Sequence, residues 1–172
     1  MRFIVICRYI FALTMVASHV ANAAEPLAYE DINGQMHTLK EYKGKWVVLN
    51  YWASWCEPCR MEIPDLIKFQ TNYATEGALA VVGINVERKP REQIRASAEK
   101  YGINYTVLIG KMEGPNDALV EIKGLPTTAI LAPDGEVLHI IRGKVSYEYL
   151  TDVLERLKTH FAKGQLETSS AQ

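Results

Sequence analysis

The chain has 172 residues, 48% of them hydrophobic and 23% charged, which suits one soluble globular domain with a core of its own. Its formal net charge of −1 supplies neither a basic stripe nor an acidic tail, so no nucleic-acid partner is expected and recognition by shape is favoured.

The first stretch reads as a segment apart from that domain. Arg2 and Arg8 precede an apolar run over residues 9–17, and Ala21-Asn22-Ala23 supplies small residues at the spacing of a secretory cleavage site. Residues 1–23 are therefore expected to be a signal peptide, and the protein to be periplasmic or otherwise exported. The alternative is an uncleaved membrane anchor, for which the run falls short of the roughly 20 residues that span a bilayer. Cys7 would leave with the signal, and so would Arg2 and Arg8, which leaves 17 basic against 20 acidic residues and a net charge of about −3. The globular domain is expected over 24–164, followed by a disordered polar tail over 165–172.

Asp31-Ile32-Asn33-Gly34 carries an Asn-Gly turn signal between two short strands, so a hairpin opens the domain. Residues 45–52, a run of apolar, β-branched and aromatic side chains, read as a strand buried on both faces. Asn50 interrupts it, either as a satisfied core amide or as a participant in chemistry. Helical spacing follows over 58–73, with Met61, Leu66, Phe69 and Tyr73 on the turns and a kink expected at Pro64. A second buried strand is expected over 79–86, then a helix over 90–101 with Ile94, Ala98 and Tyr101 on one face and Gly102 as its stop. A strand over 106–109, a helical turn or two over 116–122 and a strand over 127–131 come next. Pro133-Asp134-Gly135 turns that strand into its antiparallel partner over 136–142. Ser146 can cap a last helix whose Leu150, Val153, Leu154, Leu157 and Phe161 keep helical spacing up to a stop at Gly164.

Between the first buried strand and the first helix lies Trp55-Cys56-Glu57-Pro58-Cys59. Two thiols at this spacing can close into a small disulfide ring and reopen. A Cys56 sulfur at the first helical position would face unpaired backbone N–H groups and the positive end of the helix dipole, which favours thiolate and makes Cys56 the nucleophile. Cys59, one turn on along the same face, is placed to resolve a mixed disulfide formed at Cys56. Pro58 suits a first helical turn, where its missing N–H costs nothing. Glu57 sets a negative charge beside the nucleophile and opposes the dipole.

Other readings of the pair are weaker. Structural zinc needs two further Cys or His ligands, and His37, His139 and His160 show no paired spacing. Covalent haem requires His after the second Cys, where Arg60 stands. A structural disulfide closing so short a loop would stabilise little. No metal or other cofactor is called for.

The segment Asn50-Tyr51-Trp52-Ala53-Ser54-Trp55-Cys56-Glu57-Pro58-Cys59 resembles the active-site stretch of the TlpA-like or ResA-like exported thioredoxins, and the likeness extends over nearly the whole domain. The resemblance implies an α/β thioredoxin fold, a central mixed β-sheet flanked by helices, with an N-terminal β-hairpin and a central strand-helix insertion. It also makes Gly124-Leu125-Pro126-Thr127-Thr128 the cis-proline loop, with Pro126 facing the cysteines and Leu125 offering backbone to an extended substrate. Without it, Pro126 reads only as a strand opener. Thioredoxins proper carry a buried acid where this chain has Asn50, which cannot titrate, so another base is needed or none. The glutamate that ResA-like members hold near the site has Glu87 as its candidate; the competing reading is a solvated glutamate at a strand end. Trp55 is expected either to shield the pair and give substrate an apolar contact or simply to pack.

These residues imply exported thiol–disulfide exchange and leave its direction open; the family resemblance favours the reducing direction. Its partners would be protein disulfides, such as those of apocytochrome c, and a membrane thiol–disulfide electron donor; nothing in the sequence speaks to oligomeric state. A protein-oxidising enzyme would use the same residues, and a copper-handling thioredoxin-fold chaperone could bind soft metal through two sulfurs, though no convergent His or Met supports it. A peroxidase of the peroxiredoxin kind would want Thr or Ser where Ala53 stands.

Overall fold

A computed structural model describes residues 28–73, 77–110 and 119–170, with side chains to residue 163. The expected signal peptide lies outside the described residues. Strands β1 (Ala28–Asp31) and β2 (Met36–Thr38) form the opening hairpin, closed by the turn in which Gly34 takes φ 86°. Asp31 stitches that turn, accepting bonds at 2.8 Å from the Asn33 and Gln35 N–H groups. A 3-10 turn (Leu39–Tyr42) leads to β3 (Trp46–Trp52), buried at every position. Then come α1 (Glu57–Tyr73), β4 (Leu79–Asn85), α2 (Arg91–Lys100), β5 (Thr106–Ile109), β6 (Thr127–Leu131), β7 (Val137–Arg142) and α3 (Tyr147–Ser170).

The strands join in one mixed sheet of seven, in the order β2-β1-β5-β4-β3-β6-β7. β3, β4 and β5 run parallel, linked by the helical crossovers that parallel pairing requires, while the hairpin and β6–β7 are antiparallel. The central strands are buried on both faces, which is why β3 and β4 lack the polar alternation of a half-exposed strand.

Side chains of successive residues point to opposite faces, so β3 divides its residues between two cores. Trp46, Val48 and Trp52 meet Ile63, Leu66 and Phe69 of α1, Ile94 and Ala98 of α2, and Leu150 and Leu154 of α3. Val47, Leu49 and Tyr51 meet a second cluster that includes Val120, Ile122 and the partly buried Tyr42. Among the described residues all three helices thus serve one face, and the segments around residues 42 and 119–125 cover the other.

Four details differ from the sequence expectation. Residues 119–122 are not helical: Val120 and Ile122 are buried while Glu121 is exposed, a period-two pattern that packs an extended segment on the sheet; residues 111–118 lie outside the described ones. α3 runs through Gly164 to Ser170, so the expected stop is overridden and residues 165–170 continue the helix. A helix interior tolerates one glycine at about 1 kcal/mol. α1 begins at Glu57, which leaves Cys56 as its N-cap residue and not its first turn. Met61 is 57% exposed, because the buried stripe of α1 passes instead through Cys59, Glu62, Ile63, Leu66 and Phe69.

Candidate active site

β3 ends at Trp52, and the chain turns through Ala53-Ser54-Trp55 into α1. Cys56 accepts the first helical bond on its carbonyl, from the Arg60 N–H at 3.1 Å, and its Sγ accepts the Cys59 N–H at 3.3 Å. Its sulfur therefore sits at the positive end of the helix, where an anion is stabilised. Cys56 and Cys59 are joined, with S–S 2.04 Å and Cα–Cα 5.3 Å. Cys56 keeps 5% of its surface exposed and Cys59 none, so an incoming disulfide can reach only the first of them directly. Glu57 and Pro58 are exposed in the first turn, where the Glu57 charge favours the helix.

The Leu125–Pro126 bond is cis, in agreement with the family resemblance. β6 runs antiparallel to β3 with Thr127 opposite Tyr51, which brings the buried Pro126 to the end of β3 where the cysteine loop departs. Thr127 Oγ1 donates to the Gly124 carbonyl at 2.8 Å and the Gly143 N–H donates to the Pro126 carbonyl at 2.9 Å, so the loop is pinned from both sides. Trp55 is 66% exposed. Packing does not account for it, and it stands as an apolar surface beside the disulfide.

Glu87 is neither a solvated strand-end residue nor placed as a base. It is 7% exposed, and its carboxylate accepts the Ser54 N–H at 2.6 Å, the Ser54 O–H at 2.9 Å and the Asn85 Nδ2–H at 3.0 Å, while Lys89 Nζ pairs with it at 2.6 Å. Burial alone would raise its pKa, but these donors outweigh burial and hold it below the usual range. Such a group stays ionised at neutral pH; its contacts fasten the loop two residues ahead of Cys56. Arg60 adds a bond from Nη1 to the Ser54 carbonyl at 3.1 Å.

The titratable group near the cysteines is one the sequence reading passed over, Glu62. It lies three residues after Cys59 on the same helical stripe and is fully buried. One carboxylate oxygen accepts Asn50 Nδ2 at 2.7 Å and the other the Val145 N–H at 2.8 Å. Burial raises its pKa to about 7 despite those two bonds and the charge of Lys144, with Asp65 adding to the rise. Asn50, fully buried, also donates to Thr128 Oγ1 at 3.0 Å. The acid missing from β3 is thus supplied by α1, and Asn50 binds it. The signal in the sequence is a glutamate on an apolar helix face, one turn past Cys59.

A cavity of about 380 Å3, lined by Leu39, Tyr42, Val47, Leu119 and Leu131 among others, lies against the sheet face opposite the cysteines. Of the disulfide only Cys56 reaches the surface, with the exposed Trp55 beside it. Among the described residues no group of three or more His, Cys, Asp or Glu is placed to hold a metal ion, and no helix is long and apolar enough to cross a membrane.

Residues 20–140 match the AhpC/TSA family. Among curated relatives, the thiol-disulfide oxidoreductase ResA of Geobacillus kaustophilus is 30% identical over 86% of this chain and 83% of its own length. The thioredoxin-like protein YneN of Bacillus subtilis is 34% identical over 77% of this chain and 76% of its own. Among solved structures, a thiol:disulfide interchange protein of the thioredoxin family from Chlorobium tepidum superposes with a TM-score of 0.65 at 27% identity, covering 76% of this chain and 92% of that one. A DsbF homologue from Corynebacterium diphtheriae gives 0.64 at 28% identity over 76% and 83%. The chain belongs to the AhpC/TSA family and is a thiol–disulfide oxidoreductase built on the thioredoxin fold.

Proposed function

We propose that the protein reduces disulfides in exported proteins, apocytochrome c among them, with Cys56 as nucleophile, Cys59 as resolving thiol and a membrane thiol–disulfide donor restoring the dithiol. The observation that carries the exchange chemistry is the asymmetry of the pair: Cys56 at the capped start of α1 with its sulfur on an N–H donor, Cys59 wholly buried beside an acid. Export rests on the apolar run and small-residue site ahead of residue 24.

In the reduced protein the Cys56 thiolate attacks a substrate sulfur, forming an S–S bond as the substrate's own S–S bond breaks. The leaving substrate thiolate takes a proton from solvent. Cys59 then gives its proton to the Glu62 carboxylate and attacks Cys56 Sγ. The Cys56–Cys59 bond forms, the mixed disulfide breaks, and the second substrate sulfur departs as thiolate. Two electrons have passed from the dithiol to the substrate. A group with a pKa of about 7 is divided between its two forms at neutral pH, so it can take this proton and later return it. Trp55 offers the substrate a flat apolar contact, and the Pro126 loop presents backbone beside the sulfurs.

Cys59→Ser tests the order of events. With a disulfide-closed Cys-x-x-Cys-His peptide as substrate, this variant is expected to accumulate a mixed disulfide through Cys56, seen by mass spectrometry, and Cys56→Ser to accumulate none. Adducts formed through Cys59 in the Cys56→Ser variant at the parental rate would reverse the assignment.

A further inference from the structure

Three buried polar atoms beneath α1 have no hydrogen-bond partner among the described residues: Asn50 Oδ1, Trp52 Nε1 and the Tyr105 hydroxyl. They belong to one place. Asn50 and Trp52 are two residues apart on the same face of β3, and Asn50 lies opposite Gly83 in the parallel ladder with β4. The space a Cβ would fill at Gly83 is flanked by Tyr105 Cε2 at 3.1 Å and Trp52 Nε1 at 3.2 Å, so both rings lean over the glycine next to Asn50. Asn50 in turn holds Glu62. The phenol feels that carboxylate: burial, and after it the charge of Glu62, push the Tyr105 pKa up, so its hydroxyl keeps its proton and remains a donor.

We propose that Tyr105 is a positioning residue for Glu62. Its hydroxyl shares a buried water with Asn50 Oδ1 and Trp52 Nε1 and through it stabilises the carboxylate form of Glu62. Two donors and an acceptor gathered around Gly83 are the set a buried water needs, and three such atoms left unmatched in a packed core would be costly. Each oxygen of Glu62 accepts one protein bond and has a lone pair left for another. The other charged groups acting on Glu62 are Lys144, ahead of α3, and Asp65, on α1. Lys144 and Asp65 act on the acid by charge alone, whereas Tyr105 acts on it through the shared water.

The inference rests on the proton role given to Glu62 only for its consequence in exchange, so the test reads the carboxyl itself. Infrared titration of the oxidised protein follows the C=O band of the protonated acid against pH, and Glu62→Gln assigns the band by abolishing it. In Tyr105→Phe the midpoint is expected to rise by about half a pH unit or more, since a donor to the ionised form is lost. A midpoint equal to that of the parent would overturn the proposal, whatever the variant does to thermal stability. Thiol-exchange rates of Glu62→Gln against pH report separately on the proton role: a profile identical to the parent removes that role and leaves the infrared result to decide Tyr105.

Discussion

Glu62 is the residue on which chemistry and stability meet. Its folded pKa of about 7 stands above the ordinary 4.5, so the native state holds its proton more tightly than the unfolded chain does. The stability it confers is complete below the unfolded pKa and is lost as pH rises through the folded one. For a shift of this size the loss is about 3 kcal/mol. Urea unfolding of the oxidised protein, in which neither thiol titrates, should therefore show the parent losing about 2–3 kcal/mol more between about pH 5 and about pH 8 than Glu62→Gln does. Equal pH dependence in the two proteins would contradict the buried, elevated acid. The amide of the variant can still be accommodated, because Asn50 can turn its unpartnered Oδ1 toward it. The cysteines and Pro58 were legible from residue types and spacing, and the cis-proline loop only through the family resemblance. Glu62 and Glu87 were not, because what distinguishes them is who meets them: Glu62 is met by β3 and by Val145, 83 residues on, and Glu87 by Ser54, 33 residues back. A strand-end glutamate looks solvated until the loop it fastens is placed over it.

At the scale of elements, the opening hairpin carries a latch of its own. His37 of β2 bonds through Nδ1 to Glu41 at 2.9 Å and through Nε2 to Asp31 at 3.3 Å, tying the 3-10 turn to the first strand. Burial works to lower the His37 pKa, but these two carboxylates outweigh it and raise it. Protonated, the ring donates to both acids; neutral, to one. The latch is thus whole below the ordinary histidine value of 6.5 and is lost as pH rises through the higher folded value. Amide hydrogen exchange over residues 31–42, corrected for intrinsic rates, should quicken as pH rises above the ordinary histidine value of 6.5 in the parent and change little in His37→Gln. Matching behaviour in both would show that the latch does not hold. Strands and hairpins were readable here because their runs are short, apolar and bounded by Asn-Gly and Asp-Gly. Helix ends were less so. Gly164 looks like a stop, yet α3 passes through it, and residues 119–122 carry helix-forming types but lie extended because the sheet face beneath them buries alternate side chains. The same competition moved the stripe of α1 by one residue, from Met61 to Glu62, since the tertiary partner of the helix and not its composition decides which face turns inward.

At the scale of the whole molecule, the sheet order explains how distant segments make one site. β3 lies between β4 and β6, so the cysteine loop at its end is met by the segment after β4, which holds Glu87, and by the loop before β6, which holds Pro126. α1 returns over β3 and lays Glu62 on Asn50. The fold class was available from the alternation of strands and helices together with the cysteine spacing, whereas the covering of the two sheet faces was not, because periodicity tells that a side chain is buried without telling against what. The claim that unites these scales is that the molecule is poised to give electrons to protein disulfides. The measurement that tests it most directly is the equilibrium reduction potential of the Cys56–Cys59 pair at neutral pH, against a glutathione or dithiothreitol series with alkylation as the readout. The account predicts a value toward the reducing end of the Cys-x-x-Cys range, near about −270 mV, with the protein partly reduced in cells. A value near about −120 mV, with the disulfide dominant in cells, would contradict it and make the protein an oxidant with the same site.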